Sequence, residues 1–250
     1  MAPGMGLGFF SATFTKGSKE SIDSIFSKLK LSTVLRYEIK AEELKLDGIR
    51  QLSKQLDDSS KGSYCSKLLK AFETDSQTII FVNTKKFANM IYEQLKRDGH
   101  KIALLIGGMA IQEREKVLND FRKKDYSVLI STNLLARGFD QRTIGLVINL
   151  DIPTHYGAKK GQVDLETYLH RIGRTGRFGD CGLALNLYVK DADKNLLKTI
   201  EDYYKVKIED LNNVEDSKVF DRINDLIGEV RKLNDKKRAD NKEKIEKGNN

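Results

Sequence analysis

The chain is predicted to be an α/β protein with a mostly parallel sheet flanked by helices, on three observations. Short apolar β-branched runs such as Thr78-Ile79-Ile80-Phe81-Val82 suit strands buried on both faces. Between them lie stretches in which apolar residues recur at three- and four-residue steps, as in Phe87, Met90, Ile91 and Leu95. Helix punctuation falls where this alternation needs it, with Thr84 as an N-cap and Gly99 at a C′ position. Strands alternating with helices of that length imply βαβ crossovers.

The elements follow in order. Ser18 can cap a helix with Ile22, Ile25, Phe26 and Leu29 on one face, and 33–40 alternates enough for a strand. Residues 41–47 are polar and charged, as expected of a linker, and 49–56 and 64–72 read as a strand and a short helix. After the run at 78–82 and its helix, 102–106 is a strand and Gly107-Gly108 a turn. A helix carries Val117, Leu118 and Phe121, and 127–131 and 145–150 are further strands. A helix at 165–172 and a final strand at 182–189 complete the sheet. Phe220, Ile223, Leu226, Ile227, Val230 and Leu233 recur at helical spacing, and past Leu233 a frayed basic tail is expected.

Composition narrows the functional classes. The 250 residues carry 44 Lys and Arg against 36 Asp and Glu, a net charge of +8, which suits an anionic partner such as nucleic acid. From Arg231 to Asn250 there are eight Lys or Arg and four Asp or Glu, so this short segment supplies half of the excess. A solvated Lys-rich surface is the competing explanation. No apolar run approaches the ~18 residues of a membrane span, and Met1 to Phe10 lacks the features of a signal peptide. Cys65 and Cys181 are too few for a disulfide framework, and with histidines only at 100, 155 and 170 no metal-ligand spacing arises. The expectation is a reduced cytoplasmic or nuclear protein.

Ligands in sheets of this kind gather at the carboxyl ends of the strands, and four features are expected there. Thr84 is a helix cap or a ligand group. Gly107-Gly108 followed by Gln112 and Arg114 is a plain turn or a phosphate site, since glycine allows close backbone approach. The string from Ser131 to Asp140, Ser-Thr-Asn-Leu-Leu-Ala-Arg-Gly-Phe-Asp, offers hydroxyl, amide, glycine and carboxylate groups to phosphates and sugar hydroxyls. In His170-Arg171-Ile172-Gly173-Arg174-Thr175-Gly176-Arg177, two arginines three apart would project from nearly one helix face. They serve surface ion pairs, or grip a phosphate bidentately and stabilise the charge developing in phosphoryl transfer.

Ser11-Ala12-Thr13, Ile80-Phe81-Val82-Asn83-Thr84, Ser131 to Asp140 and His170 to Arg177 together resemble the ordered motifs of the DEAD-box RNA helicases, over residues 11–212. Gln112-Glu113-Arg114, Asn133 before Ala136-Arg137-Gly138, and the long stretch from Asp151 to Glu166 are most similar to the mRNA-export helicases of the nuclear pore's cytoplasmic face. The resemblance implies a RecA-like fold of the P-loop NTPase type, a three-layer sandwich, acting as the second of two lobes that close around ATP and single-stranded RNA. Residues 1–40 would be the remnant of the first lobe, 41–47 the interlobe linker, 48–214 the second lobe and 215–250 a helical, basic extension. It implies that Arg174 and Arg177 reach the γ-phosphate, with Arg177 as the arginine finger, and that Asp140 bonds the ribose. Gly138 would stand at both sites, and Thr84, Gly107, Arg114, Thr132 and Gly138 would hold the RNA backbone. His170 would couple the lobes through Ser11 and Thr13. Implied partners are the first lobe, a pore-filament protein and an activator that uses inositol hexakisphosphate.

The sequence departs from the family at Ile111, where Gln is frequent, at Gly108, which replaces an acidic residue, and at Phe139, which replaces a smaller aliphatic. It contains neither a Gly-x-x-x-x-Gly-Lys-Ser/Thr loop nor an Asp-Glu-Ala-Asp string. ATP with magnesium would therefore be bound mainly by the first lobe, and these residues alone are expected to hydrolyse none. The chain reads as a helicase cut upstream of Ser11. Phe9, Phe10, Ile22, Ile25, Phe26 and Leu29 would then lack their partners at about 1.5–3 kcal/mol each, favouring self-association through 7–40 or a rearranged packing. Two other functions compete: a non-catalytic RNA-binding module, and a DNA-directed translocase lobe.

Overall fold

The structure is a computed structural model that describes residues 9, 16–29, 35, 37, 46, 48–71, 76–133, 141, 143–157, 160–176 and 180–248, without the side chains of 16, 216, 238 and 241–248. The chain divides into two compact units, Met1–Lys40 and Ala41–Asn250. In the first unit, helix α1 (Lys16–Lys28) begins two residues before Ser18, so Ser18 lies inside the first turn rather than at its cap. Phe9 packs edge-on against Phe26 at 5.7 Å between ring centroids, while Ile25 and Leu29 remain 37% and 39% exposed. The strand expected over 33–40 falls largely outside the described residues.

The second unit holds seven strands, β1 (Ile49–Gln55), β2 (Gln77–Phe81), β3 (Ile102–Leu105), β4 (Val128–Ser131), β5 (Ile144–Asn149), β6 (Gly182–Tyr188) and β7 (Ile208–Asp210). They lie in the order β3-β4-β2-β5-β6-β1-β7, and every pairing among them is parallel. Because crossover helices cover both faces, the central strands have no polar side, and all residues of β2 and β6 are buried. Helices α2 (Lys61–Ala71), α3 (Lys85–Arg97) and α7 (Asp216–Gly248) cover one face, packing Leu68, Ile91, Leu95, Ile223 and Leu226 on Ile80, Ile148 and Leu185. On the other face α4 (Ile111–Arg122) packs Phe121 on Ile79 and Leu129. Beside it α5 (Leu165–Ile172) and α6 (Asp191–Tyr204) set Tyr168, Ile172, Leu197 and Ile200 against Ala184 and Tyr188. The expected three layers are present.

Three features differ from the sequence reading. Helix α6 and strand β7 follow the strand expected to be last. Leu196, Leu197, Ile200 and Tyr204 do carry the helical spacing, but β7 has only three residues and is held through its partner. That partner is β1, whose buried Lys54 donates from Nζ to the carbonyls of Leu211 (3.3 Å) and Val214 (3.0 Å). Leu46, in the expected polar linker, is buried with Ile152, Tyr168 and Ile208 in the α5–α6 core. The basic tail is not frayed but continues α7 to Gly248. It contains no Pro, is rich in helix-forming Lys, Arg and Glu, and places Asp240 four residues before Lys244 and Glu243 four before Lys247. The tail is also anchored: Asn234 accepts from the Cys181 amide and returns a hydrogen bond to its carbonyl at 3.0 Å.

Helix α5 is fixed to the sheet by buried polar groups. Arg171 is fully buried beneath the ends of β2, β4 and β5. Its guanidinium donates to Asn133 Oδ1 (2.5 and 3.1 Å), Asn83 Oδ1 (2.8 Å), the Asp151 carbonyl (2.8 Å) and Asn149 Oδ1 (3.4 Å), and it lies 5.3 Å from the Phe81 ring centroid. Burial pushes its pKa down to about 10, with Asp151 opposing, so it stays charged at neutral pH. The chain of bonds continues from Asn149 to Asn186 (2.9 Å), from Asn186 to the Tyr168 hydroxyl (3.0 Å), and from Tyr168 to Gln51 (2.7 Å). Replacing Arg171 with Met strands several of these acceptors. A loss of at least ~3 kcal/mol in urea unfolding is expected, with Arg171→Lys losing less because it keeps charge but not the planar fork.

Glycines give a paired test. A Cβ at Gly182 would stand 2.6 Å from the Gly176 amide nitrogen, whereas one at Gly228 in α7 meets nothing within 4 Å. Gly182→Ala is expected to destabilise by about 1–3 kcal/mol and Gly228→Ala to stabilise by about 0.5–1 kcal/mol, as read by denaturant midpoints.

Candidate nucleic-acid and nucleotide interface

The parallel sheet aligns its carboxyl ends, so the loops after β3, β4, β2 and β5 follow one another along one edge. After β2, the Asn83 amide donates to Asp151 Oδ2 at 2.9 Å and the Asn83 side-chain amide donates to the Ile152 carbonyl at 2.8 Å. Asp151 also accepts from the buried Lys61 Nζ at 3.0 Å. Thr84 is the N-cap of α3, its Oγ1 accepting from the Phe87 amide at 3.2 Å, and it is exposed. Accepting there leaves its own O–H to donate outward, so the cap and ligand readings are compatible.

After β3, the chain turns at Gly107-Gly108, with Gly108 at φ +97°, where a side chain would be strained. The Ile106 amide donates to Met109 Sδ (3.3 Å) across the turn. Lys85, from the first turn of α3, lies along both glycines, its Nζ 3.4–3.5 Å from where a Cβ would stand on either. Arg114 sits in the first turn of α4, and its Nε is buried with no hydrogen-bond partner among the described residues. After β4, the Ser131 hydroxyl lies within hydrogen-bonding distance of the Leu105 and Thr132 carbonyls (2.9 and 2.8 Å), with one proton to donate between them, and half-buried Thr132 follows beside Asn133. Thr84, Gly107, Arg114 and Thr132 therefore stand at adjacent strand ends, and Lys85 joins them. Its signal was a lysine directly after the cap at a strand end. Asn83, Asn133 and Arg171, which hold these loops together, are legible only as members of longer strings.

Arg171 reaches this edge from below, but Arg174 and the Thr175-Gly176 turn after it do not share it, which corrects the expectation that the whole of the fourth feature lies at the carboxyl ends. In a parallel crossover the helix runs back antiparallel to the strands, so α5 delivers its C-terminal turn to their amino ends. Thr175 Oγ1 accordingly donates to the Ile144 carbonyl at 2.9 Å, at the first residue of β5. A Cβ on Gly176 would meet Ile49 and Gly48 at the start of β1. Arg174 follows the helix rather than lying within it, is 5% exposed, and donates from Nε to the His170 carbonyl at 3.0 Å. It lines a cavity of about 580 Å³ with Gln141, Thr143, Asp180 and, from α7, Arg231 and Asn234. His170 is half-buried in the last turn of α5.

Another buried polar group missed by sequence reasoning supports this end. Gln77 donates from Nε2 to the Phe121 and Tyr126 carbonyls (2.6 and 2.9 Å), while its Oε1 accepts from Gln141 (3.1 Å) and from the Thr143 hydroxyl. It thus fixes the chain immediately after Asp140. Ser11, Thr13, Gly138, Asp140 and Arg177 lie outside the described residues. Among the described residues, no three His, Cys, Asp or Glu side chains come together as a metal-ligand set.

The chain is similar to known proteins along most of its length. The family described as helicase conserved C-terminal domain matches residues 60–179. The ATP-dependent RNA helicase DBP5 of Kluyveromyces lactis is 36% identical over 212 residues, covering 82% of this chain and 44% of the relative, so the chain spans less than half the length of that protein. The structure of S. cerevisiae Dbp5 bound to RNA and ADP BeF3 superposes with a TM-score of 0.75 at 34% identity, covering 88% of this chain and 54% of that one. S. cerevisiae Dbp5 L327V bound to Nup159, Gle1 H337R, IP6 and ADP gives 0.68 at 32% identity, covering 89% and 54%. The C-terminal domain of the DEAD-box protein Dbp5 gives 0.65 at 37% identity, covering 72% of this chain and 99% of that domain. The chain belongs to the DEAD-box helicase family and corresponds to its C-terminal, RecA-like lobe.

Proposed function

We propose that the chain acts as the second lobe of an ATP-dependent RNA helicase that remodels RNA or ribonucleoprotein, with its two functional surfaces at opposite ends of the sheet. The observation that carries this reading is the row of Thr84, Lys85, Gly107-Gly108, Arg114 and Thr132 on one edge. There a capping hydroxyl, a side-chain-free turn with Lys85 lying along it, and Arg114, whose buried Nε has no hydrogen-bond partner among the described residues, follow the ends of neighbouring strands. Such groups suit phosphates and sugars and read no base edges, so binding is sequence-independent and salt-sensitive.

Arg174, at the amino end, reaches the γ-phosphate together with Arg177 when the first lobe brings ATP, with Arg177 as the finger that stabilises transferring charge. Gln77 holds Gln141 and Thr143, the described residues that follow Asp140 in the chain; Asp140 serves to bond the ribose, and Gly138 serves both surfaces. His170, with Ser11 and Thr13, couples the lobes. The cavity beside Arg174 and its polar lining fit one side of a nucleotide site, although Arg174 Nε is already bonded to its own helix. The sequence has no Walker loop, so the other side, and magnesium, belong to the lobe that supplies one. The bound nucleotide supplies the bond that is hydrolysed. These residues orient it and hold charge.

The likeness to the yeast protein bound to Nup159, Gle1 and IP6 supports a place in mRNA export at the nuclear pore's cytoplasmic face. The partners there are a pore-filament protein and an activator that uses inositol hexakisphosphate. A non-catalytic RNA-binding module has no specific observation in its favour, since the arginine string and its anchored turn would then be idle.

Two measurements test the reading. Lys85→Ala and Arg114→Ala are each expected to weaken binding to unrelated single-stranded RNAs by a similar factor. Each should also reduce the slope of log affinity against log salt by about 0.7, and a loss confined to particular sequences would contradict backbone holding. The chain alone is expected to hydrolyse no ATP. When it is joined to a first lobe bearing the Walker loop, Arg177→Ala should abolish RNA-stimulated turnover and leave RNA binding intact, and undiminished turnover would refute the arginine-finger role.

A further inference from the structure

The loop between β5 and α5 is a built element beside the RNA-holding edge. Thr154 and Val163 form an antiparallel bridge, the His155 amide donates to the Gln162 carbonyl (2.9 Å), and the Asp164 amide donates to the Pro153 carbonyl (2.9 Å). Gly157 and Gly161 adopt φ +72° and +86° at its bend. The base of this hairpin is fixed at α5, where Asp164 accepts from the Thr167 amide as the N-cap (2.9 Å).

From this hairpin Tyr156 presents a ring that is 70% exposed, the largest exposure among the described aromatic residues other than Tyr37. An exposed tyrosine is ordinarily free to rotate, but the Tyr156 hydroxyl donates to the Asn83 carbonyl at 2.9 Å. Its polar tip is therefore tied to the residue before Thr84 while its ring remains open to solvent. Neighbouring strands run β3, β4, β2 and β5, so the series Gly107, Thr132 and Thr84 along the edge continues to Tyr156. A ring held in place at the end of a backbone-holding row is a preorganised aromatic surface, with little conformational freedom left to lose on binding.

We propose that Tyr156 is a stacking platform for one nucleobase of the single-stranded RNA. It adds a base contact, tolerant of sequence because every base has a π-face, to an edge that otherwise touches only backbone. The inference rests on the reading of this edge as the RNA surface. It deepens that reading by naming the part of the nucleotide that the hairpin takes.

The test measures binding of the whole chain to a fluorescein-labelled oligouridine and to the same strand carrying abasic sites, by anisotropy. Tyr156→Ala is expected to weaken oligouridine binding about 5- to 100-fold, the loss of one stacked base. Tyr156→Phe should retain most of the affinity, because it keeps the ring and loses only the tether. On the abasic strand, wild type and Tyr156→Ala should bind alike. Tyr156→Ala binding oligouridine within twofold of wild type would overturn the proposal, and so would an equal defect on the abasic strand. Those results leave the edge as the RNA surface. If wild type binds neither strand, both the proposal and the reading beneath it fall.

Discussion

A single buried cation organises the end of the sheet that matters most. Arg171 reaches from α5 to the loops after β2, β4 and β5, bonding Asn83, Asn133, Asn149 and the Asp151 carbonyl. Withdrawing a charge from water is costly unless its donors are well matched, and four separate acceptors meet this fork. Without it the loops that carry Thr84 and Thr132 would have no common reference. Lys61 makes a smaller version of the same device by binding Asp151 from the opposite face. The surface groups at this edge are thus ordinary side chains made specific by what lies under them.

The direction of α5 then separates two chemistries. Its Arg171 serves the carboxyl ends of the strands, while Arg174, one turn further, is delivered to the amino ends, where Thr175 is bonded to the start of β5. One short helix therefore touches both the RNA-facing edge and the turn proposed to meet nucleotide. The buried chain through Asn149, Asn186, Tyr168 and Gln51 holds that helix to three strands. A shift of α5 along its axis would disturb both ends together, a physical basis for linking RNA and nucleotide occupancy within one lobe.

Much of this was legible in the sequence, for identifiable reasons. The strands at 77–81 and 182–188 announce themselves because a strand buried on both faces must be continuously apolar. Thr84 was legible as a cap because capping is local. What was lost depends on tertiary context. Strand β7 exists because Lys54 and β1 hold it, and Leu46 is buried despite its polar neighbours. Arg174 and Thr175-Gly176 lie at the opposite end of the sheet from the one expected of them, because their spacing is local, whereas their location depends on the direction in which a crossover helix returns. In the sequence Lys85 is marked only by its place directly after the cap, and Gln77 by nothing. The importance of one lies in the glycine turn it lies along, and of the other in the chain following Asp140 that it fixes.

The most direct test of a lobe with two separate ends is to map RNA onto it residue by residue. An isotopically labelled sample of the chain, titrated with a short single-stranded RNA, should show backbone amide shifts at Thr84, Gly107, Gly108 and Thr132. Gly48, Thr175, Gly176 and Asp180 at the amino end should stay unmoved. Shifts concentrated at the amino end, or spread over the exposed face of α6, would contradict the account.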